Sequence, residues 1–184
     1  MSSSSWTPTD ILIHDLQLQK HPEGGYFAET DRQVTQVLSP FSRNEPRSLG
    51  TSIYYLLTKD SPSGVIHMNK SVTYHILHQG RAEYTLIYPT NPPTIEKHII
   101  GTNVSAGESR QLLVGTGVWK MSRLLPEDMD HGCLITEVVV PGFHWEDHQF
   151  LTTKGLHELL ENVKGEEKET MMKQLEKHVK GRGA

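Results

Sequence analysis

Between residues 24 and 150 the chain breaks into short runs rich in Val, Ile, Tyr and Thr, each bounded by Gly, Pro, Asn or Asp. This rhythm constrains the fold more than any other feature. The clearest runs lie at 52–58, 64–68, 73–78, 82–88, 96–100, 110–114, 118–123 and 134–140. Many short strands at such spacing belong to a sandwich or a barrel. The helices that would alternate with strands in a parallel sheet have no counterpart, so an all-β architecture is expected. Helical spacing is confined to the two ends. Ile11, Leu12, Leu16 and Leu18, opened by Thr9 and Asp10 as caps, predict one short amphipathic helix before His21-Pro22. Leu156, Leu159, Leu160 and Val163, then Met171, Met172, Leu175 and Val179, predict a helix or helix pair broken at Gly165 and packed outside the β-domain. Residues 1–9 read as a serine-rich disordered leader, 10–152 as the β-domain and 153–184 as a helical extension whose last residues, 181–184, fray. The segment 33–50, with Pro40, Asn44, Pro46 and Gly50 among charges, reads as an exposed loop or a strand with an excursion.

A chain of 184 residues can bury a core without staples. Its formal net charge of −4 asks for no nucleic-acid partner. The single Cys133 excludes an intramolecular disulfide framework and a cysteine zinc cluster, and suits a reducing compartment. The start has neither a basic nor an apolar signal region, and no stretch is apolar enough for a membrane helix. A soluble, cytoplasmic protein is the expectation.

Alternation within the run 73–78 places Thr73, His75 and Leu77 on one face and Tyr74, Ile76 and His78 on the other. An inward His75 or His67 is a ring nitrogen among apolar neighbours and needs a partner or a ligand; a satisfied structural histidine is the plain alternative. Glu137 stands in a run, 134–140, whose other members favour burial, so its carboxylate points into a pocket or lies on an exposed edge. Inside, burial would raise its pKa toward the range of a general base. Lys120, in Val118-Trp119-Lys120-Met121, pairs with Glu137, holds an anionic substrate, or sits at a solvated strand position. Gly24-Gly25 serves a turn or a close backbone approach. His144, Glu146, Asp147 and His148 crowd together after Pro141-Gly142; on a strand at most His144 with Glu146, or Asp147 with Gln149, share a face, so a solvated, ion-paired turn is expected.

The spacing of His67, Asn69, Thr73 and Gly80 resembles the first cupin motif, in which two histidines one residue apart are followed by a glutamate and a glycine. Gly115-Thr-Gly117-Val-Trp-Lys120 is similar to the second motif. By this resemblance only His67 remains of the metal ligands: Asn69 stands at the second histidine, Thr73 at the glutamate, and Lys120 at the fourth ligand. An ammonium has no lone pair and repels a cation. No metal or other cofactor is therefore expected, and if a metal is bound its expected ligands are His67 and His75. The strings 21–30, 52–57, 67–80 and 138–147 resemble, more narrowly, the cupin-like family of unknown function in its fungal-type branch, with Val72 and Thr73 where bacterial members carry an acidic pair. The resemblance implies a double-stranded β-helix, or jelly roll, and a homodimer. The apolar first strands, which would leave a hydrophobic edge in a monomer, point to the same dimer.

A barrel pocket with His67, His75, Tyr55 and Glu137 as proton-transfer groups, and Lys120, Thr73, Asn69, Trp119 and Tyr26 touching the ligand, suits metal-independent acid–base chemistry on a carbonyl-containing metabolite. Epimerisation, isomerisation, cyclisation and dehydration all fit. The alternatives are a non-catalytic small-ligand binder and a metal-dependent oxygenase or isomerase using His67 and His75. The expected partners are a small molecule and a second copy of the chain, with no nucleic acid and no membrane; fold resemblance alone confers no reaction.

Overall fold

The structure is a computed structural model and describes residues 6–181. Its helices are α1 (Thr9–Asp15), α2 (Thr153–Leu159) and α3 (Gly165–Leu175). The strands are β1 (Gln19–Lys20), β2 (Tyr26–Arg32), β3 (Gln36–Leu38), β4 (Pro46–Ser48), β5 (Thr51–Leu57), β6 (His67–Asn69) and β7 (Val72–Gly80). They continue as β8 (Ala82–Tyr88), β9 (Thr94–Ile100), β10 (Gln111–Val114), β11 (Trp119–Arg123), β12 (Cys133–Val140) and β13 (His148–Phe150). A six-stranded sheet, β1-β2-β5-β12-β7-β10, faces a five-stranded sheet, β13-β6-β11-β8-β9. All neighbouring strands in both sheets run antiparallel. β3 and β4 form a separate hairpin.

The period of two that defines the strands also builds the interior. From the six-stranded sheet, Tyr55, Leu57, Leu112, Val114, Cys133 and Ile135 point between the sheets, where Ala82, Tyr84, Leu86 and Ile100 meet them from the other side. The intervening residues Ile87 and Met121, with Trp119, face away and receive the C-terminal helices, which bury Leu156, Leu160, Val163 and Leu175 against them. Leu12 and Leu18 cover Leu56 and Leu134 on the outer face of the six-stranded sheet. Among the described residues no helix is long and apolar enough to cross a membrane.

Several local expectations need correction. Thr9 and Asp10 lie inside the first turn of α1 and cap nothing; Pro8 is the boundary residue. The break between the C-terminal helices is the stretch 160–164, and Gly165 opens the second helix with φ +62°. The run at 64–68 becomes strand only at His67, because the amides of Gly64, Val65 and Ile66 bond the carbonyls of Ser122, Glu23 and His178 instead of a ladder. Residues 7 and 8 of the expected leader are not loose: Thr7 exchanges two hydrogen bonds with Gln79. Residues 1–5 of that leader, and 182–184 of the expected frayed end, lie outside the described residues.

The segment 33–50 is a hairpin with an anchor. Its Arg47 is buried and donates to Asp147, Nε to Oδ2 at 2.6 Å, while Ser42 and Lys70 donate to Oδ1 of the same carboxylate. The polar cluster after Gly142 is accordingly only half solvated. Residues Trp145–Asp147 form one 3₁₀ turn that breaks strand alternation, so Asp147 and His148 turn inward while His144 and Glu146 stay exposed.

Leu156 is fully buried between α2 and the sheet. Leu156→Ala should lose about 2–5 kcal/mol in urea unfolding, the usual range for an emptied core leucine. A loss under about 1 kcal/mol would mean the helix is not part of the cooperative core.

Candidate functional site

A cavity of about 310 Å³ opens between the sheets. Phe27, Ile53, Val139 and Phe143 give it apolar walls, and His21, Glu23, Asn69 and Glu137 give it polar ones. Arg32 sits at the exposed rim, its charge already taken by Glu29 at 2.6 Å.

Behind the Glu137 wall lies a buried network spanning both sheets. His75 and Glu137 are cross-strand neighbours on β7 and β12, and Lys120 reaches them from β11 in the opposite sheet. The Lys120 ammonium donates to His75 Nε2 at 2.8 Å and to Glu137 Oε2 at 3.0 Å. His75 Nε2 thus accepts, which makes the imidazole neutral, and its pKa is lowered first by burial and then by Lys120. For Glu137, burial pulls upward, but Lys120 and His75 outweigh it and hold the carboxylate well below its usual range. The sequence expectation of a raised pKa fails because it counted desolvation without the cation from the facing sheet.

A second cluster adjoins it. Glu23 precedes Gly24-Gly25, whose φ values of +97° and +72° let the chain turn tightly; a Cβ on Gly25 would stand 2.7 Å from the Leu56 carbonyl. This turn buries the Glu23 carboxylate, whose Oε1 accepts from His148 Nε2 at 2.7 Å and whose Oε2 lies 3.2 Å from His67 Nε2. His67 and His148 stack with ring centroids 5.4 Å apart. Burial pushes the His67 imidazole down to about 4 despite Glu23. Burial also pulls Glu23 upward, but His67 and the His148 hydrogen bond prevail and hold it at about 2. His67 Nδ1 donates to the Val65 carbonyl at 2.9 Å, so Nε2 carries a bare lone pair, buried and without a hydrogen-bond partner. The 3.2 Å contact with Glu23 therefore sets one acceptor against another. Glu23, His67 and His148 offer ligand atoms all within 4.8 Å of one another, and among the described residues they are the one such group.

The structure brings His75, Glu137 and Lys120 together, and seats His67 and Asn69 two residues apart on β6, both buried. Thr73 is buried beside His75 on β7, away from the cavity wall. Tyr55 is buried behind the wall with its hydroxyl close to Gly25 and Gly64, and burial raises its pKa well above 10, so it stays protonated. Trp119 and Tyr26 are misassigned to the ligand. Trp119 faces the C-terminal helices because it alternates with Lys120, and Tyr26 points outward, donating to Asp60 at 2.7 Å under Lys20. Lys120 stands behind the cavity wall rather than in its lining, with its charge engaged by Glu137. His67 and His75 belong to different clusters and do not form a ligand pair. Nor do the four positions equated with cupin ligands fit a metal, since Lys120 donates where the fourth ligand should. Sequence reasoning missed His21, Glu23 and His148. The Glu-Gly-Gly string was the available signal for Glu23; His148 was hidden in a cluster read as solvated.

The family described as Cupin superfamily (DUF985) matches residues 10–151. The uncharacterized protein YML079W of Saccharomyces cerevisiae is 47% identical over 157 residues, which is 80% of this chain and 76% of that protein. A hypothetical protein from Leishmania major, 25% identical, superposes with a TM-score of 0.79 over 92% of this chain and 98% of its own. Protein SO0799 from Shewanella oneidensis, 24% identical, gives a TM-score of 0.76 over 96% and 99% and speaks to the fold alone.

The buried network predicts acid sensitivity. His75 ordinarily titrates near 6.5 and is depressed in the fold, so below about pH 6.5 the unfolded chain takes a proton that the native state refuses. Glu137, depressed below 4.5, adds stability that is lost as pH falls below that value. Stability from urea unfolding should therefore fall as pH drops through 6.5 and more steeply under 4.5. A His75→Gln variant should show a shallower decline between pH 6.5 and 4.5, where His21 and His67, also depressed, still contribute; an unchanged profile would contradict a neutral, buried His75.

Proposed function

We propose that this chain, which belongs to the cupin superfamily (DUF985), binds a small metabolite in the cavity between its sheets and moves a proton on it by acid–base chemistry, as an isomerase, epimerase, cyclase or dehydratase. The observation that carries this reading is Glu137: an ionised carboxylate on the wall of an apolar cavity, backed by an ammonium from the other sheet. Glu137 accepts the proton. Its protonation leaves the Lys120 charge, buried behind the wall, without a counter-ion, and the field of that charge acting through the wall stabilises the oxyanion or enolate just formed. His21 Nδ1 accepts from the Glu23 amide at 3.1 Å, so a neutral His21, its pKa lowered by burial, keeps Nε2–H for donation to a substrate oxygen. A carboxylate held below its usual range is a weak base. The substrate must then carry an acidic proton, between two carbonyls or on an enol, rather than beside an isolated ketone. The same weakness favours a second reading, a non-catalytic pocket for a neutral or cationic ligand, since Glu23 and Glu137 both repel anions.

A second copy of the chain is the proposed partner. Tyr74, Leu113, Ile76 and Val140 form an exposed apolar strip on the outer face of the six-stranded sheet, with Tyr74 and Leu113 directly paired across β7 and β10. A patch of this kind on a soluble surface is normally covered. Tyr74→Glu combined with Leu113→Glu should yield a monomer in sedimentation analysis; a wild type already monomeric at high concentration would exclude the dimer.

Turnover is tested by following solvent deuterium uptake into β-dicarbonyl and enolisable hydroxy-carbonyl compounds that raise the melting temperature. Glu137→Gln should keep the thermal shift and lose exchange by about 10²-fold or more. Exchange at the wild-type rate in the variant would exclude Glu137 as the base, and a tight ligand without exchange in the wild type would leave the binding reading.

A further inference from the structure

The buried charges beside the cavity do not balance. Two buried carboxylates, Glu23 and Glu137, share one buried ammonium, and Lys120 is committed to Glu137. Beside Glu23, His67 Nδ1 is spent on the Val65 carbonyl and Nε2 is buried without a hydrogen-bond partner, 3.2 Å from Glu23 Oε2. A buried anion with no charged partner is expensive even when one hydrogen bond reaches it, and so is an imidazole lone pair aimed at a carboxylate. Something positive and able to accept two lone pairs belongs between them. Asn69 Oδ1, two residues along β6 from His67 and opposite His148 in the β13 pairing, is likewise buried without a partner.

We propose that Glu23, His67 and His148 bind one divalent transition-metal ion, at a site displaced from the positions the cupin motifs provide and bordering the cavity through Glu23. The inference does not rest on the acid–base reading of Glu137. His148 ligates once its Nε2–H, which now donates to Glu23, is released to solvent or replaced by the Nδ1–H tautomer. One carboxylate oxygen and two imidazole nitrogens then suit zinc, iron(II) or cobalt(II) and are a poor set for magnesium or calcium. A tetrahedral ion with bonds of about 2.0–2.1 Å spaces its ligands about 3.3 Å apart, and His67 Nε2 lies 3.2 Å from Glu23 Oε2. The second shell is also in place. The Val65 carbonyl receives His67 Nδ1–H at 2.9 Å, which fixes the tautomer with Nε2 free to ligate. Three protein ligands leave a position for water or for a ligand of the cavity. Asn69 is placed on the same strand face to hydrogen-bond to whatever takes it.

The test uses the full chain purified without chelator or metal resin, analysed for metal by mass spectrometry, then stripped and titrated with cobalt(II) alone. Visible d–d absorption saturating at one ion per chain, displaced by zinc(II), is expected. Glu23→Gln, His67→Ala and His148→Ala should each weaken binding by about 10-fold or more, while His144→Ala, an exposed histidine nearby, should not. Circular dichroism establishes that each variant is folded, and near-isosteric Glu23→Gln keeps the test sound should an alanine variant fail to fold. The proposal is overturned if stripped wild type binds neither cobalt(II) nor zinc(II) at about 1 mM, or if His144→Ala weakens binding as much as the three. It is equally overturned if ¹⁵N spectra show His67 doubly protonated both with and without added metal, for then a proton fills the gap.

Discussion

One ammonium group joins the two sheets at the cavity wall. Lys120 comes from β11, and His75 and Glu137 from β7 and β12. Around this point the interior is apolar: Tyr84 and Leu86 on one sheet meet Tyr55 and Ile135 on the other. A buried ion pair adds little net stability compared with a well-packed apolar replacement, yet losing one member is severe because the other is left charged and dry. The pair therefore fixes which residues face each other more than how tightly the sheets adhere. It also places an ionised carboxylate on an otherwise greasy cavity, which is where acid–base chemistry or selective binding has a purchase.

The second dependency is a backbone one. Glu23 reaches the interior only because Gly24 and Gly25 adopt left-handed conformations with no room for a Cβ; at Gly24 a Cβ would stand 2.5 Å from the Ser63 carbonyl. The turn is held by the Glu23 carbonyl accepting from Val65 at 2.7 Å and by Gly25 donating to Ser61 Oγ. His67 follows two residues after Val65 and His148 pairs opposite Asn69, so one short stretch of β6 aligns the whole second cluster. The anchor Arg47–Asp147 does the same for the 3₁₀ turn that delivers His148. Polar groups far apart in sequence thereby converge on one end of the cavity.

The strands were legible because a half-buried strand writes its own period into the chain: Ala82–Tyr88 falls where alternation placed it, and Thr73 and His75 share the buried face. Glu137 and Lys120 could be named as interior candidates for the same reason. What period cannot convey is partnership across sheets, so the sign of the Glu137 shift was misjudged until Lys120 stood 3.0 Å away. Trp119 was misplaced although its alternation with Lys120 was readable, because the helices that cover it come from the far end of the chain. His148 was lost because a single 3₁₀ turn, stabilised by an arginine a hundred residues earlier, reversed the face on which it lies. Motif spacing located His67 correctly and pointed to the wrong companions for it, since Glu23 and His148 lie outside both motifs.

Lys120 and Glu137 form a buried, mutually compensating pair between the sheets, and the cavity wall depends on it. A double-mutant cycle in urea unfolding with Lys120→Met and Glu137→Leu tests it most directly. Each single variant should lose about 3–5 kcal/mol, and the double variant should recover most of that loss. Losses that simply add, or single variants within about 0.5 kcal/mol of the wild type, would contradict the pairing and the picture of the cavity wall built on it.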